Sequence, residues 1–109
     1  MSRSERHTDF KERVRGWARR LRVDPKQIRV QQMTRKWASC STGGWCTFAL
    51  DLVDEEHGFQ DYVIVHELLH MKIRNHGRVF RSLMTAYLPS WRRYCPNGLG
   101  TTCASRPDK

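Results

Sequence analysis

Residues 66–76 read HELLHMKIRNH, running from His66 to His76. The first five are H-E-x-x-H, two imidazoles one helical turn apart with a glutamate beside the first, the pattern of a zinc site with its general base. At about 3.6 residues per turn, His66 and His70 fall about 40° apart around a helix, so both rings can reach one ion. Glu67 is displaced by about 100°, where it meets a water on the ion without being a ligand. The competing interpretation is a helix whose histidines merely pack or face water.

A catalytic zinc takes three protein ligands and keeps its fourth position for water. From Leu68 to Pro107 there is no Asp or Glu, so a downstream glutamate cannot serve and His76 is the expected third ligand. Its rivals are Asp51, Asp54, Glu55, Glu56, Asp61 and the terminal Asp108. On an unbroken helix His76 would lie about 9 Å beyond His70, too far to share an ion with bonds of about 2.0–2.1 Å. The helix must therefore stop first. Asn75 and Gly77 tolerate the turn backbone this requires, which predicts a chain reversal near residues 74–77. The histidine spacing equals that of the metzincins, but Ile73 stands at their glycine and Met84 is expected in the core rather than in a Met-turn.

The run from Arg35 to Arg93, with RKWASC, QDYVIVHELLHMKIRNH, GRVF and YLPSWRR, resembles the YgjP-like metallopeptidases, relatives of the WLM and SprT-like proteases. The matching positions are Trp37, Ser39, Cys40, Tyr62, Val63, His66, Glu67, Leu68, His70, Asn75, His76 and Phe80. Ala38 stands where that family usually has glycine, and the N-terminal region of its longer members has no counterpart here. The resemblance implies a small α+β zincin-like fold and proteolysis. It also implies an edge strand beside the metal that receives the substrate as an added strand. Proteins attached to DNA enter as substrates through the same analogy.

With 109 residues the chain is expected to form one domain over residues 1–95, followed by a loose tail over residues 96–109. A mean hydropathy of -0.72 and the absence of a long apolar run argue against a membrane span. The N-terminal residues have no apolar core of the secretory kind, so a cytoplasmic location is expected, with its four cysteines as free thiols. Cys40, Cys46, Cys95 and Cys103 form no C-x-x-C pair, which argues against a second zinc site. The net charge of +9 is uneven: residues 1–36 hold twelve Lys or Arg against four acids, whereas residues 51–61 hold five acids and no Lys or Arg. Such a basic surface suits nucleic acid, or simply water.

Along the chain, Phe10, Val14, Trp17 and Leu21 form one apolar stripe of a helix from Ser4 to Leu21, with Ser2 and Glu5 as a capping box and Gly16 marking a close contact. Asp24-Pro25 ends that helical region. Ile28, Val30 and the stretch from Met33 to Cys40 read as extended, with a bulge around Gln31 to Met33. The turn at residues 41–44 joins them to a strand from Trp45 to Leu52, making a β-hairpin or small antiparallel sheet. Residues 51–58 form an acidic loop that carries a surface His57. The zinc helix then begins near Phe59 to Asp61 and is buried nearly all round. Arg78 to Leu88 is a last helix, burying Val79, Phe80, Leu83, Met84 and Tyr87 before Pro89 stops it. Trp91 to Tyr94 is read as a packing segment.

Three functions compete. The first is a zinc-dependent peptidase, with His66, His70 and His76 on a Zn2+ ion and Glu67 moving protons for an attacking water. Tyr87, Tyr94 and Arg78 are its candidate oxyanion donors, and peptides or proteins its substrates. The second is a zinc-dependent hydrolase of nucleotides or phosphate esters. The third is a zinc-stabilised nucleic-acid-binding module without catalysis, whose affinity would fall steeply with salt. The oligomeric state is open.

Overall fold

The computed structural model describes residues 3–34, 37–41, 43–73 and 77–93. Its first element, α1, spans Arg3–Leu21 and buries the anticipated stripe of Phe10, Val14, Trp17 and Leu21, together with Ala18. Arg19 and Arg20 in the last turn suit the negative end of the helix dipole. The helix stops before Asp24-Pro25, in a Schellman closure. Arg22 takes a left-handed φ of 60°, with Arg22 N–H donating to Arg19 O at 3.3 Å and Val23 N–H to Ala18 O at 3.0 Å. Lys72 reaches across to donate to Leu21 O at 3.3 Å. Gly16 marks no close approach, because a side chain there would meet nothing within 4 Å. Ser2 of the expected capping box lies outside the described residues.

Among the described residues three strands make one sheet: β1 Gln27–Gln31, β2 Ala38–Cys40 and β3 Trp45–Ala49, in the order β1-β3-β2. The hairpin is β2 with β3, antiparallel, and β1 joins the far side of β3 in parallel. The β1 register runs unbroken from Gln27 opposite Trp45 to Gln31 opposite Ala49, leaving no bulge in that interval. Gly44 closes the hairpin with φ 96°, and a Cβ there would come within 3.0 Å of the Lys26 backbone nitrogen. That close approach lets Gly44 O accept from Lys26 N–H at 2.7 Å, which seats β1 beside the turn.

The third strand ends at Ala49, three residues before the expected limit. Leu50–Asp54 instead wind into a 3₁₀ turn whose Leu52 is wholly buried. The helix α2 spans His57–Leu69 and starts ahead of expectation, so the acidic loop is shorter and exposed His57 belongs to the first helical turn. Gln60 holds this junction by donating from Nε2 to Val53 O at 2.9 Å and Glu55 O at 3.0 Å. The helix α3 covers Arg78–Tyr87, followed by a 3₁₀ turn at Trp91–Arg93.

The core lies where α1 and α2 meet each other and the sheet, α1 against β1 and α2 against β2. Phe10 meets Phe48 edge-on at 5.3 Å. Each such large apolar side chain contributes roughly 1.5–3 kcal/mol on burial. Met84 sits in this core, as expected, while Val79 turns outward and is 62% exposed. Trp91 packs inside and donates its indole N–H to the Thr85 hydroxyl at 3.1 Å. The described domain is thus α+β, as its sequence pattern implies.

Candidate metal centre

Every residue of α2 from Tyr62 to Leu69 is buried, which accounts for the run YVIVHELL being apolar apart from His66 and Glu67. Two polar side chains in such a helix need compensation, because a buried polar group without partners costs about 1–3 kcal/mol. Their placement on the helix supplies a geometry. The His66 and His70 rings lie 4.8 Å apart between centroids and nearly perpendicular, at 83°. Two imidazoles donating to one tetrahedral zinc at about 2.1 Å have ring centres roughly 5 Å apart, so the pair fits such an ion. His66 is almost fully buried, while His70 is half-exposed and gives the pair its opening to solvent.

Phe80 of α3 sets the two rings. Its centroid is 5.4 Å from that of His66 at 75° and 4.9 Å from that of His70 at 33°. One apolar side chain thus walls both imidazoles. On the other side, Tyr62 lies 5.9 Å from His66, Phe59 lies 6.3 Å from Tyr62, and Trp37 meets Phe59 edge-on at 5.2 Å. Phe59, Tyr62 and His66 follow one stripe of α2 at helical spacing, and Trp37, just ahead of β2, packs on its first ring. The sequence offered Trp37 and Tyr62 only through the family resemblance, and the spacing of 59, 62, 66 and 70 was the signal that could have joined Phe59 and Tyr62 to the site.

Glu67 is 9% exposed, with Oε1 3.9 Å from His66 Nδ1. That separation exceeds a hydrogen bond and brings a carboxylate beside the histidine pair. Its charge is also felt by the buried Tyr62 phenol, which burial first and Glu67 second push above the ordinary tyrosine value. Tyr62 therefore keeps its proton through the neutral range.

The helix α2 ends at Leu69, well before residue 76. The Met71 N–H bonds to Leu68 O and the Lys72 N–H to Leu69 O, tightening the last turn, and α3 begins at Arg78. His76 and the reversal expected at residues 74–77 lie outside the described residues, apart from Gly77. Among the described residues no group of three His, Cys, Asp or Glu converges on one point. Of the carboxylates that rival His76, Asp54 binds Arg6 at 2.7 Å and Asp61 accepts from Arg13 and Trp17, both at 2.9 Å, Asp51 is exposed in the 3₁₀ turn, and Asp108 lies outside the described residues. Glu55 and Glu56 are exposed ahead of α2, more than two helical turns before His66.

Of the proposed oxyanion donors, Tyr87 is half-buried on α3, Arg78 is exposed at its start, and Tyr94 is outside the described residues. Of the expected strand Trp45–Leu52, the part that forms β3 cannot accept a substrate strand, because it is paired on both sides. Its hairpin partner β2 is an edge strand and packs against α2. Two of the basic residues of α1 meet the acidic segment, through the Arg6–Asp54 and Arg13–Asp61 pairs. Arg19, Arg20 and Arg22 stay exposed, with the Arg20 guanidinium 4.3 Å above the Trp17 ring. No described helix is long and apolar enough to cross a membrane.

Among families of known proteins, the model of the YgjP-like metallopeptidase domain matches residues 1–95. No curated protein and no solved structure matches the chain.

Proposed function

The chain belongs to the YgjP-like metallopeptidase family, and from that membership we propose that it is a zinc peptidase whose ligands are His66, His70 and His76 and whose general base is Glu67. The observation that carries this reading is the perpendicular pair of imidazoles 4.8 Å apart with a shielded carboxylate beside them. A zinc ion held there lowers the pKa of water from about 15.7 toward about 7 and polarises a carbonyl. Glu67 takes the proton of the attacking water and returns it to the leaving amine nitrogen. Burial of Glu67 beside the histidine pair keeps it out of bulk solvent.

An extended peptide is the substrate that suits the remaining geometry. The strand β2 has no strand on its outer side among the described residues and lies beside α2, and strand addition there binds through the backbone with little demand on sequence. Arg19, Arg20 and Arg22 form the exposed basic end of α1. We assign to them contact with nucleic acid, which directs the peptidase to proteins held on DNA.

The deciding comparison is Glu67→Gln against the unchanged protein on an unstructured protein substrate, with zinc content measured in both. Zinc is expected to stay while turnover falls by about 10²–10⁴-fold. Turnover near the original rate in the variant overturns the assignment of the base. Faster hydrolysis of nucleoside triphosphates than of peptides overturns the substrate class.

A further inference from the structure

Cys40 on β2 and Cys46 on β3 are directly opposite one another, as Cα partners of the antiparallel pair. The main-chain bonds around them fix which kind of pair they form. Ser41 N–H donates to Trp45 O at 2.9 Å and Ala49 N–H to Trp37 O at 2.8 Å, so the hydrogen-bonded positions are 41 with 45, 39 with 47 and 37 with 49. Cys40 and Cys46 fall between two of these, at a non-hydrogen-bonded position. Partners at such a position approach to about 4.5 Å between Cα atoms, closer than their neighbours, and their side chains lie on the same face. A disulfide spans Cα separations of about 4.4–6.8 Å. The register therefore puts the two Cα atoms at a separation that a disulfide can span.

Both cysteines are free thiols in this structure. Cys46 is buried and its Sγ lies 3.9 Å from Met71 Sδ, one residue beyond His70. Cys40 is half-exposed on the edge strand, which gives a small oxidant access to the pair. We propose that Cys40 and Cys46 are a reversible two-electron oxidation site, closing to a cross-strand disulfide in response to hydrogen peroxide. The half-exposed Cys40 meets the peroxide first, and the buried Cys46 resolves it.

The Cys40 sulfur attacks one peroxide oxygen and the O–O bond breaks. The departing oxygen takes up the Cys40 proton and leaves as water, and Cys40 becomes a sulfenic acid. The Cys46 sulfur then attacks the Cys40 sulfur, forming the S–S bond as the S–O bond breaks. The expelled hydroxyl takes the Cys46 proton and leaves as a second water. Two thiols thus lose two electrons and two protons, and one peroxide becomes two waters. The product staples the edge strand β2 to β3 and draws the Cys46 sulfur away from Met71. None of this depends on peptidase activity.

The test uses the full chain and a Cys95→Ser, Cys103→Ser version in which the pair holds the only thiols. Each is exposed to a small excess of hydrogen peroxide, alkylated, and digested with chymotrypsin, which cuts after Trp37, Trp45 and Phe48 and so separates the two cysteines. The expected result is a mass loss of about 2 Da, residues 38–45 joined to residues 46–48, and full reversal by dithiothreitol. Adding Cys40→Ser abolishes the mass loss. Complete alkylation of both cysteines after peroxide, overoxidation without linkage, or linkage only to Cys95 or Cys103 in the full chain overturns the proposal.

Discussion

The indole N–H of Trp17 and the guanidinium of Arg13 both donate to Asp61 Oδ1, each at 2.9 Å. A single oxygen on α2 thus anchors two side chains of α1, five residues ahead of the first histidine.

Removing that oxygen leaves two donors without their acceptor. Asp61→Ala is expected to cost about 1–3 kcal/mol, since the half-buried indole N–H loses its partner and a charge-assisted bond is lost with it. Urea unfolding should show a lower midpoint at an unchanged slope, and Asp61→Asn, which keeps an acceptor oxygen, should recover part of the loss.

Phe80 touches both imidazoles and is wholly buried. Phe80→Ala should destabilise the domain by about 3–5 kcal/mol through the cavity it leaves. Thermal unfolding of the purified variant measures the loss.

Metal content distinguishes the histidines. His70→Ala and His76→Ala should each lower bound zinc from one ion per chain toward none, because affinity depends on every donor. His57→Ala, at the exposed start of α2, should keep the metal. Elemental analysis after dialysis decides, and a His76→Ala protein that retains zinc would rule out the third ligand.

Alkaline pH reports on Tyr62. Burial, reinforced by the charge of Glu67, keeps the phenol protonated in the fold above the pH at which a solvated tyrosine ionises, about 10. The unfolded chain then binds fewer protons than the folded one. Its contribution to stability is complete below about pH 10 and declines as pH rises, at no more than about 1.4 kcal/mol per pH unit. Tyr62→Phe should flatten this part of the urea midpoint against pH curve relative to the unchanged chain.

The elements that the sequence reveals best are those with a strong period. The stripe of α1 and the all-round burial of α2 follow from apolar spacing, and both sit where that spacing puts them. The histidine pair was legible for the same reason, since residues four apart share a helix face whatever surrounds the helix. What escaped is long-range. The parallel partnership of β1 with β3 depends on Gly44 packing onto Lys26, a contact without a local signature. The end of β3 at Ala49 reflects Leu52 being drawn into the core, which alternation along the strand cannot show. Likewise, the uneven charge of residues 1–36 gives no sign that Arg6 and Arg13 are each paired with a carboxylate 48 residues away.

That last distance has a bearing on salt. Both pairs fasten the first helix to the segment around the start of α2, and the Arg6–Asp54 pair is much the more exposed of the two. Dissolved ions screen exposed charges far more than half-buried ones. Concentrated electrolyte therefore loosens the outer fastening of that seam before the inner one.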